Sequence, residues 1–223
     1  MTNAFNTPLR LALIGMSGAG KSFWTRKLAA QGSPAVCCDD LIEQRLQPLL
    51  AAGGHQGIGG VAAWMSWPDS PHYAEREAQY LQEEIAVLGE VLDDLSRDAQ
   101  KTLVLDTTGS VIHAGNHLLL RLRRQMTVVY LAASEQERQL LIERYLADPK
   151  PVLWRGAFQP RPGETPRDTV ARCYPALIAA RRQSYEALAH CTIPLAELRE
   201  PSLTAADFLE KIQRALAGDS PAR

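Results

Sequence analysis

Gly15-Met16-Ser17-Gly18-Ala19-Gly20-Lys21-Ser22 fits the spacing G-x-x-x-x-G-K-[ST] in full, and no other stretch of this 223-residue chain narrows its possible folds as far. Glycines in such a run let the backbone turn tightly, so that several N–H groups point inward around an anion. Leu9–Ile14, directly before it, is apolar apart from Arg10, as expected of a strand buried on both faces. Lys21–Gln31, directly after it, predicts a helix stopped by Gly32 and Pro34. The positive N-terminal end of that helix adds to the attraction for an anion. Strand, glycine loop and helix in this order predict a Walker A phosphate site. The expected ligand is a purine nucleoside triphosphate, MgATP, held by Gly15, Ser17, Gly18, Ala19, Gly20, Lys21, Ser22 and Phe23. Lys21 is suited to the β- and γ-phosphates, and the Ser22 hydroxyl to Mg²⁺.

The rest of the chain continues the alternation. Further short strands are expected at Ala35–Cys38, Thr102–Leu105, Thr127–Leu131 and Cys191–Ile193. Helices are expected at Asp39–Leu50, Tyr73–Leu95, His113–Arg124, Glu135–Ala147, Asp168–Leu188 and Ala205–Leu216, with Ser134 capping one of them. Ala51–Gly60 reads as a flexible, glycine-rich break, and Asp148–Arg167, rich in Pro, Gly and Arg, as an exposed and mobile loop. Pro175 falls inside a helical pattern, as a kink or a boundary. Strands alternating with helices predict an α/β three-layer sandwich, a five-stranded parallel sheet with helices on both faces. One domain spanning 1–223 is expected, with a subdomain for a second substrate at about 40–95 and a lid at about 148–168.

Bulk properties exclude several classes. With 24 Lys and Arg against 25 Asp and Glu, the net charge is −1, so no basic face is expected for nucleic acid or a membrane surface. No apolar run approaches the roughly 20 residues that span a bilayer, and the N-terminus does not read as a secretory signal. Cys37, Cys38, Cys173 and Cys191 form no C-x-x-C pair, so zinc is not expected and a reduced, cytoplasmic setting is. The absence of a heptad seam points to a monomer or weak dimer.

Among phosphate-loop proteins, a GTPase would carry an N-K-x-D stretch, which the chain lacks. A late Pro/Arg-rich loop suits a small-molecule kinase, whose lid excludes water during phosphoryl transfer. Asp106 ends a buried strand where it could hold Mg²⁺ or take a proton, unless it only caps a turn. Asp39 and Asp40 follow the second expected strand, where either could cap the following helix. Arg155 and Arg161 could neutralise charge on the transferring phosphoryl, as could Lys150, with Arg167 less well placed. Trp64 and Trp67 could wall an acceptor site or pack a core. Thr107, Thr108 and Ser110 offer hydroxyls that would suit a polar or phosphate-bearing acceptor.

Cys37-Cys38-Asp39-Asp40-Leu41-Ile42-Glu43, following the phosphate loop, resembles the shikimate kinase family, in which an aspartate pair precedes I-E after the second strand. Tyr130-Leu131-Ala132-Ala133-Ser134 resembles that family's fourth-strand exit, and Lys150-Pro151-Val152-Leu153 its R-P-L-L lid start. Tyr174, Leu177, Arg181 and Tyr185 resemble its late helix. The resemblance covers about residues 9–193 and implies an ATP- and Mg²⁺-dependent kinase for a small hydroxyl acceptor. It further implies that Asp39 binds acceptor hydroxyls, that Arg181 binds an acceptor carboxylate, and that Thr108 and Gly109 sit in the acceptor loop. Lys21, Asp39, Asp106 and Arg155 would then carry the catalysis, with Ser22 and Asp106 on the metal. The chain departs from the family in four places. Cys37 stands where the family has an acid near Mg²⁺, and Asp106-Thr107-Thr108-Gly109-Ser110 replaces a G-G-G loop. Tyr73-Ala74 replaces F-R, leaving Arg76 as a substitute nearly one helical turn away, and the lid is longer. A nucleotide or sugar-phosphate kinase on the same core, and a non-catalytic nucleotide-binding switch, are the alternatives.

Overall fold

The computed structural model describes residues 8–147 and 151–218. Five strands form one sheet: β1 (Arg10–Ile14), β2 (Ala35–Cys37), β3 (Leu103–Asp106), β4 (Thr127–Ala132) and β5 (Cys191–Pro194). All are parallel, in the order β2-β3-β1-β4-β5. Among the described residues, eight α-helices connect and flank them: α1 (Lys21–Ala29), α2 (Cys38–Ala52), α3 (Gly57–Met65), α4 (Tyr73–Arg97), α5 (Asn116–Gln125), α6 (Glu135–Ala147), α7 (Pro166–Leu188) and α8 (Ala205–Ala217). This is the expected α/β sandwich.

Alternation along the central strand divides the core in two. Leu11 and Leu13 of β1 meet Trp24 and Leu28 of α1 and Phe208 and Ile212 of α8. Trp24 stacks on Phe208 with ring centroids 4.4 Å apart. Ala12 and Ile14 face the other way, into a larger core with residues of α2, α4, α6 and α7. Covering both faces buries β1 and β3 almost throughout, which is why their sequences are continuous apolar runs and not alternating ones.

Strand order positions the site. From β1 the chain goes out to β2, returns to β3, then crosses to β4 on the far side of β1. Such a reversal leaves a crevice beyond the carboxyl ends of the strands. Leu13 pairs with Asp106, and Asp106 with Cys37, so β1, β3 and β2 all end at the same level.

Two regions differ from expectation. Residues 57–65 are helical, so the glycine-rich break ends at Gln56. The Glu43 carboxylate accepts the Gly57 N–H at 2.8 Å and starts that helix, a cap from a distant side chain that local sequence does not reveal. Gly60 serves close packing, since a Cβ there would lie 3.1 Å from the His55 carbonyl carbon. Within the 148–168 loop, Val152, Leu153 and Trp154 are buried, Trp154 to 2% exposure, and only the stretch from Arg155 onward is largely exposed. The Thr165–Asp168 capping box then starts α7, which runs through Pro175 without a break.

Candidate active site

The loop after β1 has the backbone of an anion cradle. Gly15, Gly18 and Gly20 have φ of 141°, 80° and 86°, in the region that disfavours side chains. A Cβ at Gly15 would lie 2.9 Å from the Leu131 carbonyl oxygen, so a side chain is excluded there twice over. Lys21 is buried, its Nζ donating to the Gly15 and Met16 carbonyls at 3.1 and 3.2 Å. Ser17 and Ser22 are exposed beside it, and Phe23 is half exposed.

A cavity of about 490 Å³ opens from this loop, walled on the sheet side by Cys37, Asp39, Asp40 and Asp106. Asp106 is 2% exposed, yet neither of its side-chain oxygens has a hydrogen-bond partner. Burial raises its pKa, against the opposing pull of Lys21 and Ser22. Asp39 stands in the first turn of α2, where Cys37 is the cap residue, so neither Asp39 nor Asp40 is the cap. Its Oδ1 accepts from the Tyr80 hydroxyl at 3.2 Å, and burial raises its pKa while Lys21 lowers it. Burial pushes the Cys37 thiol up to about 12, so the residue in the family's acid position is a neutral thiol.

The opposite wall belongs to Gly109, Ser110, Val152, Tyr174, Ile178 and Arg181. Arg181 is buried, and two of its nitrogens are committed: Nη1 donates to the Gly109 carbonyl at 3.0 Å and Nη2 to the Leu153 carbonyl at 2.6 Å. The Tyr185 hydroxyl also donates to Gly109. Arg181 is therefore a bridge between the β3–α5 loop and the 152–154 stretch. The loop hydroxyls are likewise bonded within the protein; Thr107 and Thr108 do not line the cavity, whereas Ser110 does. Thr107 donates to Leu13, and Thr108 turns away from the cavity to donate to Glu84. Ser110 reaches the two Glu84 oxygens at 3.0 and 2.9 Å. Glu84 is 2% exposed, and burial pushes its pKa up to about 8.

Several expected contributors lie elsewhere. Arg76 donates to the Trp64 carbonyl and lies over the Trp64 ring, so it does not replace the family's arginine. Trp64 packs in the core, Trp67 is at the surface near Tyr145, and neither lines this cavity. Arg155 is exposed with φ 51°, its N–H donating to Glu77 at 2.9 Å; Arg161 and Arg167 are exposed too. Lys150 lies outside the described residues.

Sequence reasoning missed Glu84, Tyr80, Tyr73 and Glu77, all on α4. The Tyr73 hydroxyl lies 2.7 Å from the Val152 carbonyl and 2.9 Å from Glu77, and accepts the Trp154 N–H at 3.0 Å. A signal was present: two glutamates interrupt the otherwise apolar face of a long amphipathic helix. His113, also missed, is half-buried with an unpartnered Nε2; burial, then Arg181 and Arg155, bring its pKa down to about 4.

No protein-family model matches the chain, and no curated protein sequence does. Solved structures do. A shikimate kinase from Acinetobacter baumannii, in complex with shikimate, is similar at TM-score 0.57 and 25% identity over 98% of each chain. Shikimate kinase from Bacteroides thetaiotaomicron matches at 0.57 and 20% identity, over 94% of this chain and 98% of that one. Shikimate kinase from Aquifex aeolicus matches at 0.54 and 16%, over 95% and 98%. The second and third identities carry the fold alone. The chain has the P-loop kinase fold and is a distant structural relative of the shikimate kinases along almost its whole length.

Proposed function

We propose that the protein transfers the γ-phosphoryl group of ATP to a hydroxyl of a small polar acceptor, in the manner of the shikimate kinases. One observation carries this reading: the buried Asp106 carboxylate has no partner of its own, at the end of the strand beside Lys21 and Ser22. A buried, unpaired acid is costly unless a ligand completes it. Magnesium fits. It takes few protein oxygens and keeps waters and phosphate oxygens, so one carboxylate and one serine hydroxyl suffice. When bound with the nucleotide, the ion would neutralise charge developing on the phosphates.

The chain's own residues divide the work. Backbone N–H groups of residues 15–23 cradle the phosphates, and Lys21 turns from its two carbonyls to the β- and γ-oxygens. Ser22 and Asp106 hold the metal. Asp39, across the same cavity, orients or deprotonates the acceptor hydroxyl, and its raised pKa suits proton transfer. Gly109 faces the acceptor with Ser110, and Arg181 fixes that loop. Residues 151–165 form the lid, with Arg155 the candidate to meet the transferring phosphoryl.

The test is ADP release from MgATP by purified protein across a panel of hydroxy compounds, with Lys21→Ala as control. The reading requires saturable stimulation by an acceptor and a loss of at least about a hundredfold in Lys21→Ala with the fold intact by circular dichroism. Retained turnover in that variant would sink it. ATP turnover that no small molecule stimulates would favour a nucleotide-binding switch.

A further inference from the structure

Ser110 stands between a buried acid and the cavity. Its Oγ lies 3.0 and 2.9 Å from the two Glu84 oxygens and 3.2 Å from the Thr108 hydroxyl. The same residue lines the cavity together with Ser17, Lys21 and Ser22. Gly109, its neighbour, packs on the phosphate loop: a Cβ there would lie 3.4 Å from the Ser17 nitrogen and 3.8 Å from the Gly15 carbonyl oxygen. The wall that faces the acceptor thus also touches the loop that holds the nucleotide, and a phosphoryl group in transfer passes between the two.

A serine hydroxyl has one proton to give, and its neighbours decide where that proton points. Thr108 donates to Glu84 Oε1, which leaves Oε2, against Ser110, as the oxygen to carry a proton when Glu84 is neutral. In that state Oε2–H donates to Ser110 Oγ. The Thr108 oxygen already accepts the Ser110 N–H at 3.1 Å, so the Ser110 proton is free to turn to the cavity. When Glu84 is ionised, both hydroxyls must donate to the carboxylate, and Ser110 shows the cavity lone pairs only. Burial pushes Glu84 up to about 8, helped by the Asp39 charge and opposed by Ser110 and Arg181, so the neutral state prevails near neutral pH. Cys38 on α2, Tyr80 on α4 and Tyr185 on α7 also face it, and burial raises all three, so they stay neutral there. Resting on the kinase reading, we propose that Glu84 is a positioning residue that turns the Ser110 hydroxyl outward, and that Ser110 donates to a terminal phosphate oxygen of the bound triphosphate. An anionic oxygen is the partner that makes such a bond strong, and a diphosphate has no oxygen at that place.

The experiment titrates the full chain with the magnesium complexes of ADP and of adenylyl imidodiphosphate, a triphosphate analogue that is not turned over, at about pH 7 and about pH 9. Ser110→Ala is expected to weaken the triphosphate about tenfold at the lower pH and to leave ADP unchanged, the size of one hydrogen bond to a charged group. The wild type is expected to lose about fivefold of its preference for triphosphate over ADP at the higher pH, as Glu84 ionises. That loss should vanish in Ser110→Ala and in Glu84→Gln, whose amide donates to Ser110 at either pH. Ser110→Thr, which keeps the hydroxyl, should bring it back. Triphosphate binding unchanged in Ser110→Ala overturns the proposal, as does an equal loss of both nucleotides in folded protein. So does a pH effect that persists in Glu84→Gln, and this comparison decides if Ser110→Ala proves unfolded by circular dichroism. A wild type that binds neither nucleotide is a different result, which removes the kinase reading itself.

Discussion

Glu84 and Asp106 are both carboxylic acids at 2% exposure, and the protein treats them oppositely. Glu84 is finished: Thr108 and Ser110 surround it with hydroxyls, and it fixes the loop that follows β3. Asp106 is left without a hydrogen bond. The same contrast separates the two halves of the site. On the opposite side, Thr108 and Tyr185 are spent on internal contacts, and Arg181 has two nitrogens committed and only its Nε without a partner. On the phosphate side, a carboxylate, an exposed serine and a ring of amides are free for a ligand. Groups that hold the fold together and groups that wait for a ligand have the same residue types; only their partners tell them apart.

The largest effect expected is at Asp106. Asp106→Asn should lower phosphoryl transfer about a thousandfold by removing the metal's protein carboxylate. It should leave the ligand-free protein at about the same stability in thermal melts, since a buried carboxylate without a close hydrogen-bond partner is replaced by a neutral amide while the attraction of Lys21 is given up. A large loss of melting temperature would mean that Asp106 is structural like Glu84, and would erase the contrast.

Next comes the pH dependence set by Glu84. Its pKa rises from 4.5 in the open chain to about 8 in the fold, so the folded state keeps a proton that the unfolded chain gives up. Stability from this group is full below pH 4.5 and falls as pH rises towards 8, by on the order of 5 kcal/mol. Urea unfolding across that range measures the slope, and Glu84→Gln should flatten it. An unchanged slope in the variant would assign it to other groups.

The smallest effect is at Tyr73. Tyr73→Phe leaves the Trp154 N–H and the Val152 carbonyl without this partner and should cost about 1–3 kcal/mol, read by thermal denaturation, with nucleotide affinity unchanged. A change confined to nucleotide affinity would place Tyr73 with the phosphate side instead.

The same contrast explains what could be read in advance. The phosphate loop, its flanking strand and helix, Asp39 and the strand-end Asp106 are local: each is a few residues whose spacing dictates backbone shape or position at a strand terminus. The five-stranded parallel sheet with helices on both faces followed from the alternation of apolar runs with amphipathic helices. The acceptor wall is not local. Glu84 meets Thr108 across 24 residues and Arg181 meets Gly109 across 72, so no window of sequence contains either contact. Thr108 and Ser110 as bare hydroxyls suggested ligand contacts because their internal partner on α4 could not be seen. The helix at 57–65 was hidden for the same reason, its starting N–H being satisfied by Glu43 from α2.

Tyr73 and Arg181 approach residues 152–154 from two different helices, and this fixes the root of the proposed lid. Each residue already ordered before a ligand arrives is spared about 1–2 kcal/mol of backbone entropy when the complex forms. On the lid reading, movement would begin at Arg155, whose left-handed backbone is the first bend beyond the root, and end at the Thr165 cap of α7. The proposed flap would then be some ten residues long, with little chain to re-order when a ligand binds.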